Sequence, residues 1–181
     1  IDGDLVEASN VSRIVGASRI NIGRPKVEVA ANYALNLGLN RRIERVNQFL
    51  SPTHESLFAS CDIVVGCVDR MTPRALLNRW SYKYLVPFID LGVAFRVDGS
   101  GRILADAGRV VVVGPGRPCL ACWGHLDPHE LRREAMSEAD QARELAAGYL
   151  QGAQEAQPSV IAFNTHVAGA GVIEVMRLAT G

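Results

Sequence analysis

The chain has 181 residues, 48% hydrophobic and 21% charged, with 19 Lys plus Arg balancing 19 Asp plus Glu. That balance excludes an overall field drawing the protein to nucleic acid or an anionic membrane, and the apolar content excludes an intrinsically disordered chain. The longest apolar runs, within "RVVVVGPG" and "SCDIVVGCVD", fall far short of the roughly 20 residues a membrane-spanning helix needs.

The opening stretch "DGDLVEASNVSR", residues 2–13, gathers Asp2, Asp4, Glu7, Asn10 and Arg13 in a polar run of the kind that follows a buried strand and faces a ligand. "GRPKVEVAANYALNLGLN" predicts a helix: Pro25 and Lys26 open it, Val27, Ala30, Ala31, Ala34 and Leu35 recur at helical spacing, and Gly38 and Asn40 close it. "RRIERVNQF" alternates Ile43, Arg45 and Asn47 against Glu44, Val46 and Gln48 and predicts a short strand, while "CDIVVGCVD" predicts a strand buried on both faces. "TPRALLNRWSYKYL" predicts a helix capped by Thr72 with Pro73 at its first position, and "VPFIDLGVAF" a further strand. Residues 99–113 predict a turn and a β-hairpin, residues 127–150 a charged helical segment, and residues 158–181 an apolar helix whose Ala and Gly suit tight packing against a sheet or a partner.

Strands and helices that alternate with short connections pair in parallel through right-handed crossovers. The fold class expected is therefore α/β, a Rossmann-type open sheet with helices on both faces plus a β-hairpin extension, in a single domain over residues 1–181. Ligands of such sheets lie at the carboxyl ends of the strands.

At those ends the residue types point to nucleotide chemistry. Asp2 and Asp4 stand where a second Rossmann strand would end, the position from which a carboxylate accepts ribose hydroxyls; a solvated loop acid is the alternative. Asn10 and Arg13, followed by Lys26 at a helix start where N–H groups already favour an anion, suggest a polyphosphate; a scatter of surface cations is the alternative. Asp69 closes the apolar strand, with Arg70 behind it and Arg74 and Asn78 one and two turns into the next helix. A carboxylate there suits Mg²⁺ held against phosphates, the alternative being a helix-start acid stabilised by the dipole. Cys119 and Cys122 in "RPCLACWG" form half of a tetrahedral zinc site, with a redox pair as the competing reading. His125 and His129 are expected on a helix surface or loop, and Cys61 and Cys67 as inert core thiols. The C-x-x-C spacing favours a reducing compartment, so the protein is expected to be cytoplasmic.

The ordered set D-x-D-x-V-x-x-S-N-x-x-R, then G-x-x-K, then a strand ending in V-D with R-x-x-x-N after it, then P-C-x-x-C, resembles the ThiF/MoeB/HesA family, bacterial relatives of the ubiquitin-activating enzymes. The resemblance covers nearly the whole chain. It implies an adenylyltransferase that binds ATP with Mg²⁺ and the C-terminal Gly-Gly carboxylate of a ubiquitin-like or sulfur-carrier protein, forms an acyl-adenylate and releases pyrophosphate. Carried over by position, Asp2 would hold the ribose, Asn10, Arg13 and Lys26 would contact phosphates, and Asp69 would position Mg²⁺. Arg13, Lys26 and Asp69 would then act on the reacting phosphates. The resemblance also implies a homodimer, and zinc completed by a second C-x-x-C towards the carboxyl end.

The family's glycine-rich loop should precede Asp2, so residues 1–181 alone are expected to bind ATP poorly. The family often has Gln where Ile14 follows Arg13, and no Cys follows Cys122, so adenylation is expected without a thioester nucleophile in this segment. Two rivals stand beside this reading: a catalytically silent Rossmann-type partner subunit, and an NAD-dependent oxidoreductase. The phosphate cations together with Asp69 weigh against both.

Overall fold

The computed structural model describes residues 1–38, 42–98, 100, 102–147 and 160–181. The chain divides into two compact units, Ile1–His54 with Ser159–Ala162, and Glu55–Pro158 with Phe163–Gly181.

In the first unit the opening residues lie antiparallel against residues 23–26. Val6 N–H donates to the Arg24 carbonyl at 2.8 Å, Gly23 N–H to the Val6 carbonyl at 2.8 Å, and Lys26 N–H to the Asp4 carbonyl at 2.9 Å, around an isolated bridge between Leu5 and Pro25. Val6 is buried by this pairing. Two 3-10 turns follow, Val11–Arg13 and Arg19–Asn21, and then helix α1, Lys26–Asn36, entered through Pro25. Its preorganised φ suits a helix entry, and Gly38 at φ 76° supplies the left-handed residue that ends the run. The helix buries Val29 and Ala31, whereas Ala30 and Leu35 of the expected stripe are exposed. Among the described residues this unit holds no named strand against which a wider stripe would pack. Asn40 lies outside the described residues.

The strand expected over residues 41–49 does not form among the described residues, 42–49. A strand needs a ladder, and among the described residues the backbone here is engaged by a single bond, from Asp2 N–H to the Val46 carbonyl at 3.1 Å. Gly3 permits the approach, since a Cβ there would stand 2.8 Å from Phe49. The unit ends in a 3-10 turn, Pro52–His54, where the buried His54 accepts the Ser51 N–H on Nδ1 at 3.2 Å and donates from Nε2 to Gln48 at 3.0 Å.

The second unit carries the sheet. Its elements are α2 (Glu55–Ala59), β1 (Val64–Gly66), α3 (Met71–Tyr84), β2 (Phe88–Val97), β3 (Ile103–Val113), α4 (Pro128–Ala135), α5 (Glu138–Ala146) and, from Phe163 on, α6 (Ile161–Thr180). Strand order is β1-β2-β3, with β1 parallel to β2 across the α3 crossover and β3 returning antiparallel as the expected hairpin. Strand alternation sorts the side chains into two faces. Ile89 and Leu91 of β2 form a core with Val167 of α6, joined by Val93, Val110, Val112, Val175 and Leu178. Gly171 lets α6 sit close, because a Cβ there would stand 2.8 Å from Leu91. On the opposite face Phe88 and Asp90 meet α3, which buries Leu77 and Trp80, and Trp80 packs on Phe58 of α2 with ring centroids 5.5 Å apart. A helix therefore covers each face of the sheet, as the α/β reading expects.

Three details differ from the sequence expectation. The apolar strand is ordered as β1 over only Val64–Gly66, so Asp69 stands three residues beyond its end. Helix α3 begins at Met71, with Arg70 as its N-cap and no cap from its own side chain; an acid from α4 caps it instead. The charged segment breaks between α4 and α5 because Met136 is extended and Ser137 caps α5 through the Asp140 N–H. Its last residues, 148–150, lie outside the described residues. No helix among the described residues is long and apolar enough to cross a membrane.

Candidate active site

In the first unit the hairpin-like pairing places Asp4 beside the first turn of α1. Lys26 Nζ meets Asp4 Oδ2 at 2.7 Å, with the two side chains 27% and 48% exposed. An ion pair this exposed contributes about 0–1 kcal/mol, so a polyanion arriving at this helix start can take over the lysine. Asp2 Oδ1 accepts the Asp4 N–H at 2.8 Å, which orients the acid and leaves its other oxygen without a hydrogen bond among the described residues. Asn10 is buried, and its Oδ1 accepts the Glu7 N–H at 2.8 Å, so the amide NH₂ remains as the donor end. Arg13 is exposed and donates from Nη1 to the Ser9 carbonyl at 2.9 Å, which leaves the other guanidinium N–H groups available. The structure thus brings Asp2, Asp4 and Lys26 together and sets Asn10 and Arg13 on a neighbouring 3-10 turn, with no hydrogen bond to Lys26 among the described residues.

In the second unit Asp69 is exposed on the loop between β1 and α3, and among the described residues its carboxylate has no hydrogen bond or ion pair. An acceptor-only oxygen pair with no cationic neighbour engaged is the hard donor that Mg²⁺ takes, so the residue present fits that ion. The loop is clamped from two sides. Arg74 Nη2 donates to the Val68 carbonyl at 2.5 Å, and Glu134 of α4 accepts the Met71 and Thr72 N–H groups at 2.8 Å each. Burial pushes the Glu134 carboxyl up, but bonds from Thr72 and the two amides, together with Arg70 nearby, outweigh it and leave the group below the ordinary glutamate value.

Behind the loop lies a group that the sequence reading did not single out. Asp90, fully buried near the start of β2, accepts Arg74 Nε on Oδ1 at 2.8 Å and Arg109 on Oδ2, from Nε at 3.0 Å and Nη2 at 2.8 Å. Arg74 is itself buried and Arg109 partly so. The signal was available, an acid inside the otherwise apolar "PFIDLG". His125 feels the same cluster, its imidazolium disfavoured first by burial and then by Arg109.

The cysteine pair sits in a turn tied to α3 by Asn78, whose Oδ1 accepts the Leu120 N–H at 2.9 Å. Cys119 Sγ receives the Cys122 N–H at 3.4 Å and lies 3.4 Å from Cys122 Sγ. That amide is the leading cause that draws the Cys119 thiol below its ordinary pKa. Two thiolates about 2.3 Å from one tetrahedral zinc stand a little under 4 Å apart, so the pair fits as half of a site. No group of three metal-ligating side chains occurs among the described residues. His129 is exposed and His125 partly buried. Cys61 is partly buried but Cys67 is exposed, which corrects its expected place in the core: β1 ends at Gly66, so Cys67 already belongs to the loop. Residual burial and the Asp90 charge still push its thiol up.

A parallel βαβ unit with a helix on each face of its sheet defines an α/β domain. The chain belongs to the ThiF family, whose profile matches residues 1–181. It is 29% identical over 127 residues to the molybdopterin-synthase adenylyltransferase of Escherichia coli K12, a match covering 70% of this chain and 48% of that protein. It is 28% identical over 123 residues to the adenylyltransferase and sulfurtransferase uba4 of Aspergillus niger, covering 67% of this chain and 25% of the relative. The chain thus spans at most about half the length of these relatives. Among solved structures, E. coli MccB with ATP superposes with a TM-score of 0.64 at 17% identity, covering 98% of this chain and 47% of MccB. That likeness shows a shared fold.

Proposed function

We propose that the protein of which residues 1–181 form part is an ATP-dependent adenylyltransferase acting on the C-terminal glycine carboxylate of a ubiquitin-like or sulfur-carrier protein. The observation that carries this reading is Lys26 at the start of α1, whose ammonium is paired among the described residues only with the exposed Asp4, in a chain that belongs to the ThiF family. A carboxylate oxygen of the substrate attacks the α-phosphorus of ATP, the new bond is O–P within an acyl phosphate anhydride, and the bond from the α-phosphorus to the bridging oxygen breaks with pyrophosphate as the leaving group. A carboxylate is already ionised at neutral pH, so the step needs no general base. It needs cancellation of charge between two anions. Lys26, Arg13 and the Asn10 amide supply donors for the phosphates, and Asp2 offers its remaining oxygen to the ribose. Asp69 would hold Mg²⁺, which when bound neutralises charge on the phosphates as they separate.

Membership of the family supports three further parts of the proposal. Cys119 and Cys122 bind zinc together with two ligands from elsewhere, and the protein is a symmetric dimer for which α6 offers the exposed Val172, Ile173 and Met176. The four cysteines are free thiols, in keeping with a cytoplasmic protein.

The test is ATP–pyrophosphate exchange by the full-length protein with a ubiquitin-fold protein ending in Gly-Gly. Lys26→Ala and Asp69→Ala should each lower the rate about 10²-fold or more. Wild-type protein without exchange would favour the silent-subunit reading, and full exchange in both variants would remove these residues from the reaction.

A further inference from the structure

A buried ion pair is weak evidence of a stabilising role, because apolar packing of similar volume often serves stability as well or better. The cluster around Asp90 does something apolar packing does not. Arg74 is gripped at Nε by Asp90 Oδ1, and its Nη2 thereby reaches the Val68 carbonyl at 2.5 Å. Arg109 occupies Oδ2, so the carboxylate is held from both oxygens and has no free rotation with which to release Arg74. Val68 immediately precedes Asp69, and the chain here has already left the sheet at Gly66. Without Arg74 the Val68 carbonyl would have no hydrogen-bond donor among the described residues.

We propose that Asp90 is a positioning residue for Asp69: acting through Arg74 it fixes the Val68 carbonyl, and with it the direction in which the exposed Asp69 carboxylate faces Mg²⁺ and ATP. This rests on the reading of Asp69 as the Mg²⁺-facing residue. Asp90 touches neither substrate nor metal in this role. Such partners behind a ligand typically contribute 10- to 100-fold to metal affinity.

The measurement is calorimetric binding of ATP to the full-length protein in excess Mg²⁺ and again in EDTA, whose ratio reports the metal's contribution without turnover. Asp69→Asn should abolish the ratio; if it does not, the reading of Asp69 is wrong. Asp90→Asn should lower the ratio about tenfold or more while binding in EDTA stays at the wild-type value. Arg74→Lys keeps a cation beside Asp90 but lacks the second prong that reaches Val68, so it should do the same, and it decides the matter if Asp90→Asn does not fold. The proposal is overturned if Arg74→Lys keeps the full Mg²⁺ ratio in a protein where Asp69→Asn has lost it. It is equally overturned if Arg74→Lys weakens binding alike with and without Mg²⁺, the pattern of a general structural defect.

Discussion

Asp90 shows how much one side chain depends on its surroundings. With its partners it is a satisfied anion between two guanidinium groups; without it, Arg74 remains a buried cation whose Nε has lost its acceptor. Breaking a buried pair from one side typically costs about 3–5 kcal/mol, far more than the pair's net worth. Asp90→Ala is therefore expected to lose about that much stability in urea unfolding, and a loss within the scatter of ordinary surface substitutions would show that Arg74 finds another partner. Lys26 is the opposite case. Its pair with Asp4 lies in water, contributes little to stability, and leaves the cation available to a ligand. In the sequence one stands inside an apolar run and the other at a helix start; burial shows how differently the two charges are held.

Between elements, the contact that matters most to the site is the one from α4 to the start of α3. The first N–H groups of a helix have no partner within it, and here Glu134 supplies both oxygens to Met71 and Thr72. Its side chain is only 11% exposed. Glu134→Gln removes the charge at unchanged shape and should cost about 1 kcal/mol at neutral pH. The sign of the pH dependence follows from the lowered folded-state pKa. An acid depressed by folding contributes its full stability above its unfolded value and loses it as pH falls through the folded one. The gap in unfolding midpoint between wild type and Glu134→Gln should accordingly close on acidification below the ordinary glutamate range, and a gap independent of pH would mean that the charge contributes nothing. The Thr72 and Pro73 signal in the sequence marked the start of α3 to within two residues. The cap itself comes from 62 positions away, where no local rule looks. The break between α4 and α5, by contrast, is legible in "MSEAD", a Ser three residues before an acid, against the long run of helix formers around it.

At the scale of the whole molecule, the proposed zinc site takes two of its four ligands from Cys119 and Cys122, which share one turn. Metal analysis of the full-length protein should find about one zinc per protomer, reduced in Cys119→Ser; a variant that keeps all its zinc would remove the pair from the site. The proposed dimer carries its own check in sedimentation, where Met176→Glu on the exposed face of α6 should shift the protein to monomer.

What the sequence by itself determined is the local and periodic part: α1 and α3, the hairpin, the apolar closing helix, and the ordered set of charged and cysteine positions that carries the likeness to the ThiF family. These follow from side-chain spacing, turn residues and backbone preference, which act over a few residues. Only the tertiary structure decided the rest. Residues 42–49 alternate as a strand should but have, among the described residues, one backbone bond in place of a ladder, since a strand exists only when a neighbour pairs with it. Cys67 reads as core and lies in a loop, and Asp90 reads as an oddity in an apolar run yet sits between Arg74 and Arg109, 16 residues before it and 19 after. Burial and ion pairing are set by what packing brings together from distant positions, and that is information a local pattern does not hold.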